Sequence, residues 1–133
     1  FGTLHTTTAP STVDRIIDQF PPEQQSQIRV MLSESLKGVI AQVLCRKKGK
    51  GRVAAYEILI GTSAIANLIR EGKTFQIPSA MQTGRNLGMR LMNDHLLELV
   101  MKGQVDVEEA YIKSADKHNF KTLLSQNNIP FNK

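Results

Sequence analysis

The sequence predicts an α/β fold rich in helix: a strand and a hairpin followed by a helical bundle. Three observations carry this. After a Gly49-Lys50-Gly51 turn signal, Tyr56, Ile58 and Ile60 alternate with a period of two. Before that point, apolar residues recur at spacings of three and four. From Gly61 onward the pattern is helical only, punctuated by glycines and capping residues.

The elements follow in order. Residues 1–5 read as the end of a strand. Ser11 is expected to cap the first helix, with Asp14 in capping-box position. Val13, Ile16, Ile17 and Phe20 give that helix its apolar face. Pro21 ends it, and Pro22 suits the first turn of the next. The second helix is expected to be long, with Ile28, Leu32, Leu36, Val39, Ile40 and Val43 as its stripe. A hairpin follows; on its second strand Tyr56, Ile58 and Ile60 share one face and Glu57 falls on the other, among apolar neighbours. Thr62 or Ser63 then starts a helix with Ile65, Leu68 and Ile69 inward and Gly72 as the stop. Pro78 permits a helix start within "FQIPSAMQ" and forbids an earlier interior. A helix is predicted from Leu87 to Lys102, ending at Gly103. Asp106 with Glu109 forms a second capping box, opening a helix that carries Ala110 and Tyr111. Asp116 caps a last helix with Phe120, Leu123 and Leu124 facing in. "QNNIPFNK" is expected to fray.

Composition bounds the function. The 133 residues fit one domain, large enough for a core. Tryptophan is absent and aromatics make up 5%, so that core is aliphatic and rich in Met. The single cysteine, Cys45, has no internal partner and lies in an apolar run. It reads as an inert core residue in a reducing, cytoplasmic setting. No stretch approaches the ~20 apolar residues of a membrane helix, and no secretion signal opens the chain. The net charge of +5 suits an anionic partner without identifying one.

The chemistry-bearing stretches are few. In open α/β sheets ligands bind beyond the carboxyl ends of strands. A strand ending in His5-Thr6-Thr7-Thr8 would place imidazole and hydroxyl donors at that edge, suited to an anionic oxygen. The plainer alternative is a polar strand end bonded within its own loop. The phosphate-loop pattern G-x-x-x-x-G-K-[ST] is absent, as is a dinucleotide fingerprint. "GKGR" reads as a turn with solvated basic residues. His5, His95 and His118 are far apart, so no metal site is expected. His95 reads as a satisfied, half-buried residue and His118 as exposed. On "SAIANLIREGK", Asn67 and Glu71 share a face and Arg70 suits the helix C-terminus. That face is either a plain surface or a contact for a neighbouring subunit. The basic run Arg46, Lys47, Lys48, Lys50, Arg52 lacks interleaved aromatics, which weakens a single-strand nucleic-acid reading. A small basic module with a helix-turn-helix in "QIPSAMQTGRNLGMRL" is the alternative function, although no recognition helix carries the usual polar run.

Taken together, "FGTLHTTTAPSTVDRIIDQFP", "MLSESLKGVIAQVL", "GKGRVAAYEILIGT", "AIANLIREGK" and "AMQTGRNLGM" resemble, in order, segments of the type IV pilus retraction ATPases, the PilT-like branch of the secretion ATPases. The resemblance runs from Phe1 to about Met101. It implies the C-terminal portion of a RecA-like P-loop ATPase domain: residues 1–60 close the ATPase core, and 61–133 form a helical subdomain. It implies a hexameric motor that hydrolyses ATP with Mg2+ and drives pilus retraction and twitching motility. Its partners would be neighbouring copies in a homohexameric ring and the inner-membrane pilus platform protein, with no nucleic acid. Its place would be cytoplasmic, peripheral at the inner-membrane base of the pilus. His5 matches the family's catalytic histidine facing the terminal phosphate, and Thr6 and Thr7 match its flanking hydroxyls. Ala64, Ile65, Asn67, Leu68, Ile69, Arg70 and Glu71 match the retraction motif. Ala66 departs from it, standing where the family usually has Arg. The phosphate loop and Walker B carboxylate precede the histidine box in the family. This chain is therefore expected to be a fragment that binds no nucleotide and is inactive alone.

Overall fold

A computed structural model describes residues 1–132. The chain forms two compact units, Phe1–Ala41 with Glu57–Leu91, and Gln42–Tyr56 with the chain from Met92 on. One hairpin, β1 (Gly38–Arg46) and β2 (Arg52–Ile60), contributes a half to each. Gly49 and Gly51 turn it at φ +86° and +89°, a region that side chains disfavour.

The first unit holds α1 (Ala9–Asp18), α2 (Pro22–Ser35), α3 (Ser63–Arg70) and α4 (Ile77–Thr83). Val13 and Ile17 of α1, Leu59 of β2, Ile65 and Ile69 of α3, and Ile77 and Met81 of α4 form its core. Four expectations change here. Residues 1–5 form no strand, because none of the described strands runs beside them to pair. α1 starts earlier than expected: Thr8, not Ser11, is its cap, with its hydroxyl accepting from Ser11 N–H. Asp14 accepts instead from the Thr74 hydroxyl at 2.8 Å. α2 stops at Ser35, so Val39, Ile40 and Val43 are strand residues. Their β-branched side chains suit a pleat, and glycine lets the hairpin base close. A Cβ on Gly38 would lie 2.9 Å from the Leu59 carbonyl, and one on Gly61 would clash with the Leu36 carbonyl. In β1 the burial alternates, so Ala41 is buried while Ile40 is 72% exposed.

"QIPSAMQTGRNLGMRL" is not a helix-turn-helix. After α4 a short 3-10 turn covers Arg85–Leu87, and Gly88 adopts φ +99°. Arg90 then pairs its backbone with Ile58 in an antiparallel bridge. The expected long helix from Leu87 therefore begins only at Met92.

The second unit holds α5 (Met92–Met101), α6 (Val107–Lys113) and α7 (Lys117–Gln126). Cys45 and Ala55 of the hairpin meet Leu96, Val105, Phe120 and Leu124 in its core. Burial, and secondarily the Glu109 charge, push the Cys45 thiol pKa up, as an inert thiol requires. Asn93 is buried yet satisfied: it donates to Asp116 O and Asn119 Oδ1, and accepts from Ser114 Oγ at 2.6 Å. Asp116 caps α7 through Asn119 N–H as expected. Asp106 precedes α6 without a side-chain cap bond, and Glu109 serves elsewhere. The tail is tied down more than expected. Ile129 N–H donates to Leu124 O, and Phe131 packs on Tyr111 with ring centres 4.8 Å apart. Lys133 of that tail lies outside the described residues.

Candidate functional site

Two predicted stretches fall in the first unit, the His5–Thr7 segment and the outer face of α3. The segment before α1 is held by its threonines. Thr8 caps the helix. Thr12 Oγ1 donates to Thr8 O at 2.8 Å and shares a 2.6 Å hydrogen bond with Thr6 Oγ1. Each bond fastens the segment to the first turn of α1. His5 and Thr7 are exposed, and Thr6 is half-buried. Three hydroxyl side chains thus anchor the chain while the imidazole between Leu4 and Thr6 faces outward.

One further anchor was not linked to the segment by sequence reasoning. Glu57 on β2 is buried, 5% exposed, and its Oε1 accepts from Ala9 N–H at 2.7 Å. Ala9 is the first residue of α1 and is itself fully buried. A carboxylate at a helix N-terminus is favoured by the backbone dipoles and satisfies a donor that the helix leaves open. The local signal was visible, an acid among apolar neighbours on the face of the strand opposite Tyr56, Ile58 and Ile60, and that face is the buried one. Its partner lies 48 residues away and was not visible.

The helix α3 has two faces. Thr62 caps it by accepting from Ile65 N–H. Ile65 and Ile69 are buried and Leu68 is half-buried, which fixes the inner face. Ala64, Asn67, Arg70 and Glu71 are exposed. Arg70 Nη1 donates to Asn67 Oδ1 at 2.7 Å, and Glu71 lies 3.4 Å from Lys73 Nζ. Arg70 is thus held at the helix C-terminus with its guanidinium at the surface, a fork suited to a carboxylate. Ala66 is half-buried beside this face. Among the described residues no hydrogen bond or ion pair joins His5, Thr6 or Thr7 to Asn67, Arg70 or Glu71.

The remaining stretches are structural. His95 Nδ1 accepts from Tyr56 N–H at 2.8 Å and its ring stacks on Tyr56, while His118 is exposed. The basic hairpin tip is partly tethered, since Lys48 N–H donates to Gln104 O and Lys48 Nζ lies 3.6 Å from Asp106. An open groove of about 660 Å³ in the second unit is lined by residues such as Arg46, Asp106, Glu109 and Ile112, none of them a predicted site residue. Among the described residues no cluster of three or more His, Cys, Asp or Glu could hold a metal.

No protein-family profile matches the chain. Individual relatives do. The chain is 54% identical over 120 residues to the "Type IV pilus retractation ATPase PilT" of Pseudomonas aeruginosa, covering 90% of this chain and 35% of that protein. It is 52% identical over 111 residues to the "Twitching motility protein" of Neisseria gonorrhoeae, covering 83% of this chain and 30% of that one. Among solved structures, the pilus retraction motor PilT crystallised with bound ADP superimposes with a TM-score of 0.82 at 46% identity, over 92% of this chain and 34% of that one. The chain spans about a third of the length of the relatives it matches.

Proposed function

The chain belongs to the PilT-like type IV pilus retraction ATPases, as the C-terminal portion of their RecA-like ATPase domain, and on that premise we propose that it supplies the phosphate-sensing histidine and the retraction-motif helix of a hexameric, ATP-driven motor for pilus retraction and twitching motility. The motor would work in the cytoplasm, at the inner-membrane base of the pilus, against the pilus platform protein. By role, residues 1–60 close the ATPase core and 61–133 form the helical subdomain. That division is a different one from the two packed units.

The observation that carries the reading is the His5 segment: an exposed imidazole on a backbone fastened by Thr6, Thr8 and Thr12. A donor held this way can reach the terminal phosphate of ATP supplied by the rest of the protein. After hydrolysis the transferred phosphoryl group is gone and the donor loses its acceptor. Thr7 offers an exposed hydroxyl beside it, while the Thr6 hydroxyl spends its proton on Thr12 and holds the segment in place. Because the Thr6 hydroxyl is bonded to Thr12 in the first turn of α1, a shift of the segment is passed to that helix. The phosphate-loop pattern is absent from the sequence, so the residues that cradle the phosphates would come from elsewhere in the motor.

The test is His5→Ala in the full-length protein. ATP turnover should fall by about 10²-fold, the scale of losing one donor to developing charge, with thermal unfolding unchanged. Normal turnover would remove His5 from the mechanism.

A further inference from the structure

We infer that Glu57 is a positioning residue for His5: it acts from β2 by clamping the first turn of α1 and, through it, the segment that carries the imidazole. The inference rests on the role just proposed for His5, but its geometry stands by itself. Glu57 Oε1 accepts from Ala9 N–H at 2.7 Å, and both residues are buried. An exposed polar cap can be replaced by water. A buried one cannot, so this carboxylate fixes where α1 begins.

From Ala9 the constraint runs back along the chain in short steps. Thr8, the adjacent residue, accepts from Ser11 N–H and, through its carbonyl, from Thr12 Oγ1. Thr12 Oγ1 meets Thr6 Oγ1 at 2.6 Å. Thr6 is bonded covalently to His5. Position therefore passes from a rigid strand to an exposed side chain through one charged and three hydroxyl hydrogen bonds. Thr12 and Glu57 are buried, while His5 is exposed. The arrangement is a supported outer residue and a buried support, as a precise site on an irregular segment requires.

The experiment uses the full-length protein with Glu57→Ala, Glu57→Gln, His5→Ala and the Glu57→Ala/His5→Ala double variant. Amide hydrogen exchange over residues 1–12 is measured beside kcat and KM for ATP. Glu57→Ala should speed exchange of this segment at least tenfold and lower kcat about tenfold, with KM within twofold. Glu57→Gln keeps a carbonyl oxygen acceptor and should restore both to within about threefold. In the His5→Ala background Glu57→Ala should cost no further kcat, since it acts through that ring. Full additivity in the double variant, or unchanged exchange in Glu57→Ala, overturns the inference. If His5→Ala lowers kcat while Glu57→Ala does not, the inference falls and the sensor reading stands. If His5→Ala itself is without effect, the sensor reading falls and the positioning of a catalytic group falls with it.

Discussion

At the scale of single residues, two buried carboxylates organise the molecule, one in each unit. Glu109 is 7% exposed; its Oε2 accepts from Arg46 N–H at 2.6 Å, and its Oε1 lies 3.6 Å from Arg46 Nε. The two contacts are unequal. The Arg46 side chain is 80% exposed, so its ion pair is screened by water and contributes about 0–1 kcal/mol. The backbone bond is the larger effect, since an unsatisfied buried donor costs about 1–3 kcal/mol. Glu109→Ala should therefore destabilise the fold by about 1–3 kcal/mol in urea unfolding. Glu109→Gln, which keeps the acceptor and loses the charge, should lose less than half of that. Equal losses for the two variants would mean that the ion pair dominates. Sequence reasoning placed Glu109 in a capping box because Asp106 stands three residues before it. The carboxylate reaches instead to a strand 63 residues away.

At the scale of elements, α3 was the most legible and β1 the least. The stripe of Ile65, Leu68 and Ile69, the Thr62 cap and the Gly72 stop at φ +72° are all local signals, and the helix follows them. Val39, Ile40 and Val43 match a helical stripe equally well, but Gly38 and pairing with β2 make them strand. Periodicity in a short apolar run cannot separate these outcomes, because the deciding term is the partner strand. For α3, the solvent-facing Asn67–Arg70 bond stabilises little, and the buried isoleucines hold the helix. Arg70→Ala should then leave thermal stability and ATP turnover of the full-length protein within about twofold, while twitching motility is lost. Motility at the normal level in that variant would count against a contact role for this face.

At the scale of the whole molecule, the described residues form two hydrophobic cores, and one hairpin contributes to both. Neither core includes a phosphate loop, and the sequence holds none. The 133-residue chain by itself should show no ATP turnover and the full-length protein should show it, measured by phosphate release under identical conditions. Turnover by the isolated chain would contradict the division of labour proposed here. Salt-dependent binding of duplex DNA by the chain would instead favour a nucleic-acid role for its +5 charge.

The sequence by itself determined the helix-rich α/β class, the hairpin turn, the inner faces of α3 and α7, the Val13 and Ile17 part of the α1 face (Phe20 lies past the helix and is exposed) and the likeness to the retraction ATPases, because each is written in spacing or in a run of neighbouring residues. Only the tertiary structure decided that β1 is a strand, that Thr8 rather than Ser11 opens α1, and that the buried glutamates cap backbone donors 48 and 63 residues away. The physical reason is one of range. Burial of a face depends on local period, whereas the partner of a buried charge depends on which distant backbone donor the packed chain brings within hydrogen-bond reach.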